Sequence, residues 1–331
     1  MIIQNPKTYK GKEIETIFFK PTFCGTSADE MNVRVLYNMP MPTTVQVWSE
    51  KGNLLKPFSA GWSGAGSASN KMQAKIEMEK LKAEMSYSAE DYYSTIFELI
   101  TNSADVNMGD LTGTDLEKAE TELFRRSIAE SVRANMWLGD KSGSLSQFNS
   151  FDGFIKRLLV MAEEGESEIH YSSIDANLSS DAASSYLREA WENASDALRA
   201  LRPEGNLVYY VSSDFYNNYE FWLDNKGVST AYTELQTGRP SLSFHGIPVV
   251  EVPLHMYGRT GAVRSFCVLT DKRNFVLALN TADLPENEVR IWYNPDEMEN
   301  RQRAVFLAGT TIIDESLISG HIFDVDYEED I

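Results

Sequence analysis

The stretch Asp115 to Asp140 reads DLEKAETELFRRSIAESVRANMWLGD, and its periodicity decides the fold. Leu116, Ala119, Leu123, Phe124, Ile128, Val132 and Met136 recur at spacings of three and four. That spacing gathers apolar side chains on one face of a helix. Thr114 is a suitable N-cap, Asp115 and Glu117 place acids in the first turn, and Gly139 ends the run. A helix over 115–138 is roughly 35 Å long at 1.5 Å per residue. Such a helix is a spine against which a sheet can pack.

Upstream, the first forty residues show little period and read as an extended arm that must bury Ile14, Ile17, Phe18 and Phe19 against something else. Met39-Pro40-Met41-Pro42 forbids a helix. Thr43 to Trp48 then reads as a strand with Val45 and Val47 on one face, followed by a Gly/Ser/Ala-rich stretch from Ser59 to Asn70. From Ala74 the pattern alternates: Ala74, Ile76 and Met78 against Lys75, Glu77 and Glu79. The phase slips at Lys80, after which Leu81, Ala83 and Met85 become the apolar set, as a β-bulge would produce. Met78, Leu81 and Met85 also share a helical face, so a helix fits too. As strands, the halves form a long hairpin with a polar tip, and a two-stranded ribbon is marginal alone.

Downstream, a helix is expected from Asp181 to Leu201, stopped by Pro203-Glu204-Gly205. Leu207 to Ser212 reads as a buried strand and Asp214 to Leu223 as an aromatic helix. Further strands are expected at Ile247–Val252, Phe266–Leu269, Asn274–Leu279, Val289–Tyr293 and Arg303–Leu307. The class is α+β, without internal repeats, and residues 162–263 read as a sub-domain inserted in the rest.

The 331 residues carry 49 Asp and Glu against 30 Lys and Arg, a net charge of -19. Phosphate binding along a whole surface needs clustered cations, so a chain this acidic is not built to wrap nucleic acid, although it can enclose it. Two distant cysteines, Cys24 and Cys267, fit a reducing compartment, and the opening residues lack the pattern of a signal peptide. No run approaches the ~18 apolar residues of a membrane span. Synthesis in a cytoplasm is expected.

Catalytic and binding motifs are weak. Gly61-Trp62-Ser63-Gly64-Ala65 approaches a nucleophile elbow, but its last Gly is replaced and its flanks are polar, so Ser63 reads as a loop tip. Gly64-Ala65-Gly66 follows no apolar strand, which argues against a phosphate cradle. His170, His245, His255 and His321 are dispersed, and a metal needs three or four converging ligands. The acidic runs at Glu163–Glu168 and Asp324–Asp330 read as solvated surface, with a cation at a subunit junction as the sharper alternative. The aromatic row Tyr209, Tyr210, Phe215, Tyr216, Tyr219, Phe221 and Trp222 reads as core. No catalytic, cofactor or metal residue is assigned.

Three segments in order carry a resemblance. Glu122 to Asp140, ending in Gly-Asp and followed by Phe151-Asp152-Gly153-Phe154, is the first. Leu207 to Gly227 is the second, and Phe244-His245-Gly246-Ile247-Pro248-Val249-Val250 ahead of Leu269-Thr270-Asp271 and Phe275 is the third. Together, over roughly Tyr37 to His321, they resemble the major capsid proteins of tailed bacteriophages with the Hong Kong 97-type fold. The resemblance implies an N-terminal arm (1–39), an extended loop (40–87), a peripheral domain with the spine helix (88–161), an axial domain (162–263), and a return to the peripheral domain with a tail (264–331). It implies self-assembly into pentamers and hexamers of an icosahedral virion shell around double-stranded DNA, with scaffolding, portal and decoration proteins as partners and no membrane. The arm starts almost at Met1, so a scaffold is expected as a separate protein or as a segment already removed. Inter-subunit contacts are expected at Lys75, Glu77, Glu79, Lys80, Lys82, Glu84, Trp62, Tyr219 and Trp222. Some members join neighbours by a Lys–Asn bond promoted by Glu. Lys51, Lys56, Lys71 and Asn300 are available, yet no Glu lies between Arg301 and Asp314, so no cross-link is expected. A bacterial nanocompartment shell of the same fold is the rival reading, and a soluble hydrolase using Ser63 the more distant one.

Overall fold

The computed structural model describes residues 7–10, 13, 33–37, 43–50, 69–88, 115–145, 147–165, 168–175, 178–226, 242–254, 265–280 and 288–326. The strands are β1 (Lys7–Tyr9), β2 (Arg34–Tyr37), β3 (Thr43–Glu50), β4 (Ser69–Ile76), β5 (Glu79–Ser88), β6 (Glu168–Asp175), β7 (Leu207–Ser212), β8 (Ser243–Phe244), β9 (Ile247–Val252), β10 (Ser265–Asp271), β11 (Phe275–Asn280), β12 (Val289–Asn294), β13 (Glu299–Ile312) and β14 (Ile318–Asp326). The helices are α1 (Asp115–Leu138), α2 (Phe154–Glu164), α3 (Ala182–Glu192), α4 (Asp196–Ala200) and α5 (Ser213–Asn225).

The strands form two six-stranded sheets and a separate pair. The first sheet centres on the long strand β13. Its register places β12 and then β11 along one edge and β5 along the other. β1 extends β12 and β2 lies parallel to β11. The second sheet runs β6-β14-β10-β7-β9-β8. Strands β7, β10 and β11 are buried at every residue, which explains their near-continuous apolar runs.

Trp137, in the last turn of α1, is the centre of the shared core. Its indole lies 5.3 Å from Phe154 of α2, 5.6 Å from Tyr210 of β7, 5.7 Å from Phe266 of β10 and 6.1 Å from Phe275 of β11. One aromatic group thus touches both helices and both sheets. The helix must stop where its last turn is enclosed, and Gly139 makes the stop possible. A Cβ there would sit 2.1 Å from the Phe151 carbonyl and 2.4 Å from that of Asn135. The Gly139 carbonyl instead accepts from Gly153 N at 2.8 Å, which seats the start of α2.

The spine helix lies on the expected residues, but its buried stripe is turned slightly. Phe124, Ile128, Val132 and Met136 are buried, whereas Leu123 is 51% exposed. One turn before Phe124 the buried residue is Glu120. The expected helix over 181–201 is two helices. Ser195 interrupts it, its hydroxyl accepting from Leu198 N and donating to the Ser316 carbonyl at 2.8 Å. Residues 74–76 and 79–85 are strand, with Glu77 and Met78 between them. The phase slip falls between Met78 and Glu79, one position before the expected Lys80. From residue 265 the chain alternates between the sheets: β11, β12 and β13 join the first, and β10 and β14 join the second with β6, β7 and β9. Both strands bury apolar side chains on two faces, a demand only an interior sheet position meets. Strands β6 and β14 and helix α2 were not anticipated.

Candidate assembly surface

The slip between Met78 and Glu79 is where a ribbon leaves the body. β3 and β4 pair antiparallel from Thr43 opposite Ile76 to Glu50 opposite Ser69, and they pair with no strand of either large sheet. At the ribbon's root, Ile76 and Met78 are buried against Val276, Ala278 and Leu307 on one face of the first sheet. After the slip, Leu81, Ala83 and Met85 pack on the opposite face, against the main core. The chain therefore changes faces within one step.

Gly309 permits the crossing. A Cβ on it would lie 2.2 Å from the Glu77 carbonyl and 3.1 Å from Met78 Cα. Any side chain would lift the root off β13. Thr311 Oγ1 donates to the Lys75 carbonyl at 3.5 Å on the same line.

A charged corner beside the root joins it to the end of α1. Lys156 Nζ lies 2.5 Å from Asp140 and 2.8 Å from Asp152. Lys141 reaches Glu79 at 2.5 Å, and its backbone N–H donates to Asp152 at 2.9 Å. Arg157 donates to Thr310 Oγ1 at 3.2 Å. The bond from Lys156 holds the Asp140 carboxyl below its usual range, outweighing partial burial. Burial pushes Asp152 up, but Lys156 and the Lys141 amide outweigh it and leave it lowered. Burial lowers Arg157, partly offset by Asp152 and Glu77.

The residues expected to meet a neighbour fall into groups. Lys75–Glu77 (2.7 Å) and Lys82–Glu84 (2.8 Å) are exposed ion pairs within the chain, and Glu79 is taken by Lys141. Exposed pairs of this kind contribute ~0–1 kcal/mol. Lys80 is exposed on β5. Tyr219 is buried, its hydroxyl donating to the Ser243 carbonyl at 3.0 Å, and it stacks on half-buried Trp222 at 6.0 Å. The large apolar group that α5 does expose is Phe221, at 66%. Trp62, Ser63, Lys51 and Lys56 lie outside the described residues, as does the side chain of Lys71. Asn300 is buried. Gly309, Lys141, Lys156 and Asp140 were missed: nothing in their local sequence marks them, and only the turn Gly139-Asp140 hinted at a special site.

His170 and His321, read as dispersed, are cross-strand partners on β6 and β14 with rings 5.3 Å apart. Even so, among the described residues no group of three His, Cys, Asp or Glu side chains is placed to hold a metal. No helix among them is long and apolar enough to cross a membrane.

No family model matches the sequence, and no curated protein matches it. Solved structures do. A chain from the satellite phage P4 procapsid structure including the size determination (Sid) protein superposes with a TM-score of 0.60 at 10% identity, covering 93% of this chain and 91% of that one. A chain of the capsid of Ralstonia phage GP4 gives 0.53 at 10% identity, covering 98% and 94%. One from Gordonia phage Cozz gives 0.50 at 11% identity, covering 90% and 86%. With two sheets sharing one core, a spine helix and a projecting ribbon over nearly its whole length, this chain has the fold of phage capsid structures.

Proposed function

We propose that this chain is the major capsid protein of a tailed bacteriophage, a structural protein of the virion without a catalytic site. Copies assemble into pentamers and hexamers of an icosahedral shell around double-stranded DNA. The observation that carries the reading is the β3–β4 ribbon. It is an eight-pair, two-stranded element outside both large sheets. Such a ribbon lacks a core of its own and gains stability only from a surface to lie on. In a shell that surface is the next copy, reached by head-to-tail contacts that close into rings.

In this reading residues 1–39 are an arm, 40–87 the loop that overlies a neighbour, and the segment around α3 to β9 the domain nearest the capsomer centre. Lys75, Glu77, Glu79, Lys80, Lys82 and Glu84 set the register of the loop, and Trp62 and Trp222 take part in contacts between copies, Trp222 resting on buried Tyr219. Apolar burial, at ~25 cal/mol per Å², supplies most of the association energy. Synthesis takes place in the host cytoplasm, with scaffolding and portal proteins as partners and decoration proteins as further candidates.

The test is assembly. Purified protein is imaged by negative stain over a range of salt and concentration, and shells, rings or tubes are expected. A chain that stays monomeric under every condition removes the proposal. Deleting residues 59–70 should leave folded subunits that assemble poorly, and normal shells from that deletion would reject the role given to the loop.

A further inference from the structure

On α1, Glu120 is buried one turn before Phe124, where the helix meets β13. It carries a carboxyl, and it is only 2% exposed. Opposite it, on the inward face of β13, stands Gln302, 1% exposed. Gln302 Nε2 donates to Glu120 Oε2 across 3.5 Å. The remaining oxygens, Glu120 Oε1 and Gln302 Oε1, are both buried with no hydrogen-bond partner.

Two orphaned acceptors on one bonded pair of side chains are unfavourable, because each has left water without gaining a donor. The missing donor is a single proton. Placed on Glu120 Oε1, it lets the carboxylic acid donate to Gln302 Oε1 while Gln302 Nε2 donates back to Glu120 Oε2. The acid–amide pair then uses every one of those atoms. We propose that Glu120 is held as a neutral carboxylic acid bonded to Gln302, a proton-operated lock between the spine helix and β13.

The surroundings fit a neutral acid. On β13 the inward residues beside Gln302 are Asn300 and Ala304, both uncharged. The register partners of Gln302 are Met85 on β5 and Ile291 on β12. Arg301 and Arg303 flank it but alternate to the other face, where they meet Glu297, Glu299 and Glu288. On α1 itself, Arg125 and Arg126 bind Glu122. Burial pushes the Glu120 carboxyl up to about 7, with the Gln302 bond acting weakly the other way.

The sign of the effect follows. A carboxyl raised in the folded state contributes fully below its ordinary value of 4.5, and that contribution is lost as pH rises through about 7. Above that point a buried carboxylate faces the Gln302 carbonyl oxygen, like against like, and the N-terminal half of α1 loses its hold on the sheet. The lock is a property of one subunit and does not rest on the shell reading.

Two measurements on the full chain decide it. The first is infrared titration of the carbonyl stretch of a protonated carboxylic acid, from about pH 5.5 to about pH 8.5. A component that disappears with a midpoint near 7 is expected in the wild type and not in Glu120→Gln, read as the difference between the two proteins. The second is the folded-to-unfolded ratio against pH. Relative to Glu120→Gln, the wild type should lose up to about two orders of magnitude over that range. No difference band titrating near 7 between the two proteins, or parallel pH profiles for their stability, overturns the proposal. Should Glu120→Gln fail to fold, the wild-type infrared titration decides alone.

Discussion

Asn274 and Asp314 are bonded to each other in both directions: Asn274 Nδ2 donates to the Asp314 carbonyl at 2.8 Å, and Asn274 Oδ1 accepts from the Asp314 N–H at 2.8 Å. The same Oδ1 accepts from Ile313 N at 3.0 Å, and the same Nδ2 donates to Thr270 Oγ1 at 3.1 Å. These residues sit where the chain changes sheets. Between β10 and β11 it passes from the second sheet to the first, and between β13 and β14 it passes back. One buried amide clips the two crossings together, and it does so by occupying the backbone groups that neither sheet can pair.

Asn274→Ala should therefore be costly for its size. It leaves the half-buried Asp314 N–H and carbonyl without the amide, while Ile313 N keeps its bond to the Asn274 backbone carbonyl at 3.2 Å, and a loss of about 2 kcal/mol is expected. Denaturant unfolding checks it. A loss under about 0.5 kcal/mol, the scale of an ordinary surface change, would show that the clip is not needed.

Gly309→Ala tests the root of the ribbon. The new methyl would meet the Glu77 carbonyl at 2.2 Å, backbone against backbone, so β4 must rise from β13. A destabilisation of about 1–3 kcal/mol is expected from overpacking. Assembly, read by sedimentation, should suffer more than the melting temperature, because the ribbon's angle changes while the core does not. Equal losses in both would place Gly309 in ordinary core packing.

His321 predicts a loss of stability on the acid side. Its ring is buried beside His170, Tyr186 and Phe323, with Nε2 unbonded and 3.7 Å from Glu189. The remaining neighbour across the sheet is Cys267, a buried thiol. Burial pushes the imidazole below its ordinary 6.5; Glu189 opposes this and His170 adds to it. A lowered pKa means that the unfolded chain takes up the proton first, so stability is present above pH 6.5 and falls as pH drops below it. Unfolding curves of wild type and His321→Gln should diverge in that window, with the variant flatter. Superimposable curves would exclude His321 as their source.

Much of the first layer could be read directly. The four-residue steps of α1 and the continuous apolar runs at 207–212, 265–271 and 275–280 are local patterns, and local patterns survive folding. Even the phase slip near Lys80 was visible, because alternation is a property of neighbours in sequence. Two kinds of feature were not. β6 and β14 carry no clean alternation, since β14 is interior and β6 an edge strand with mostly exposed residues. Glu120 was not singled out, because nothing in the local pattern of α1 separates it from the acids beside it, and its burial comes from β13.

The sequence by itself determined the spine helix and the continuously apolar strands β7, β10 and β11, since period and turn residues act over a few positions. The tertiary structure alone decided which strand joins which sheet, where a glycine lets two backbones touch, and which carboxyl is buried. Those outcomes depend on residues hundreds of positions apart, such as Lys75 and Thr311 or His170 and His321, competing for the same dry space.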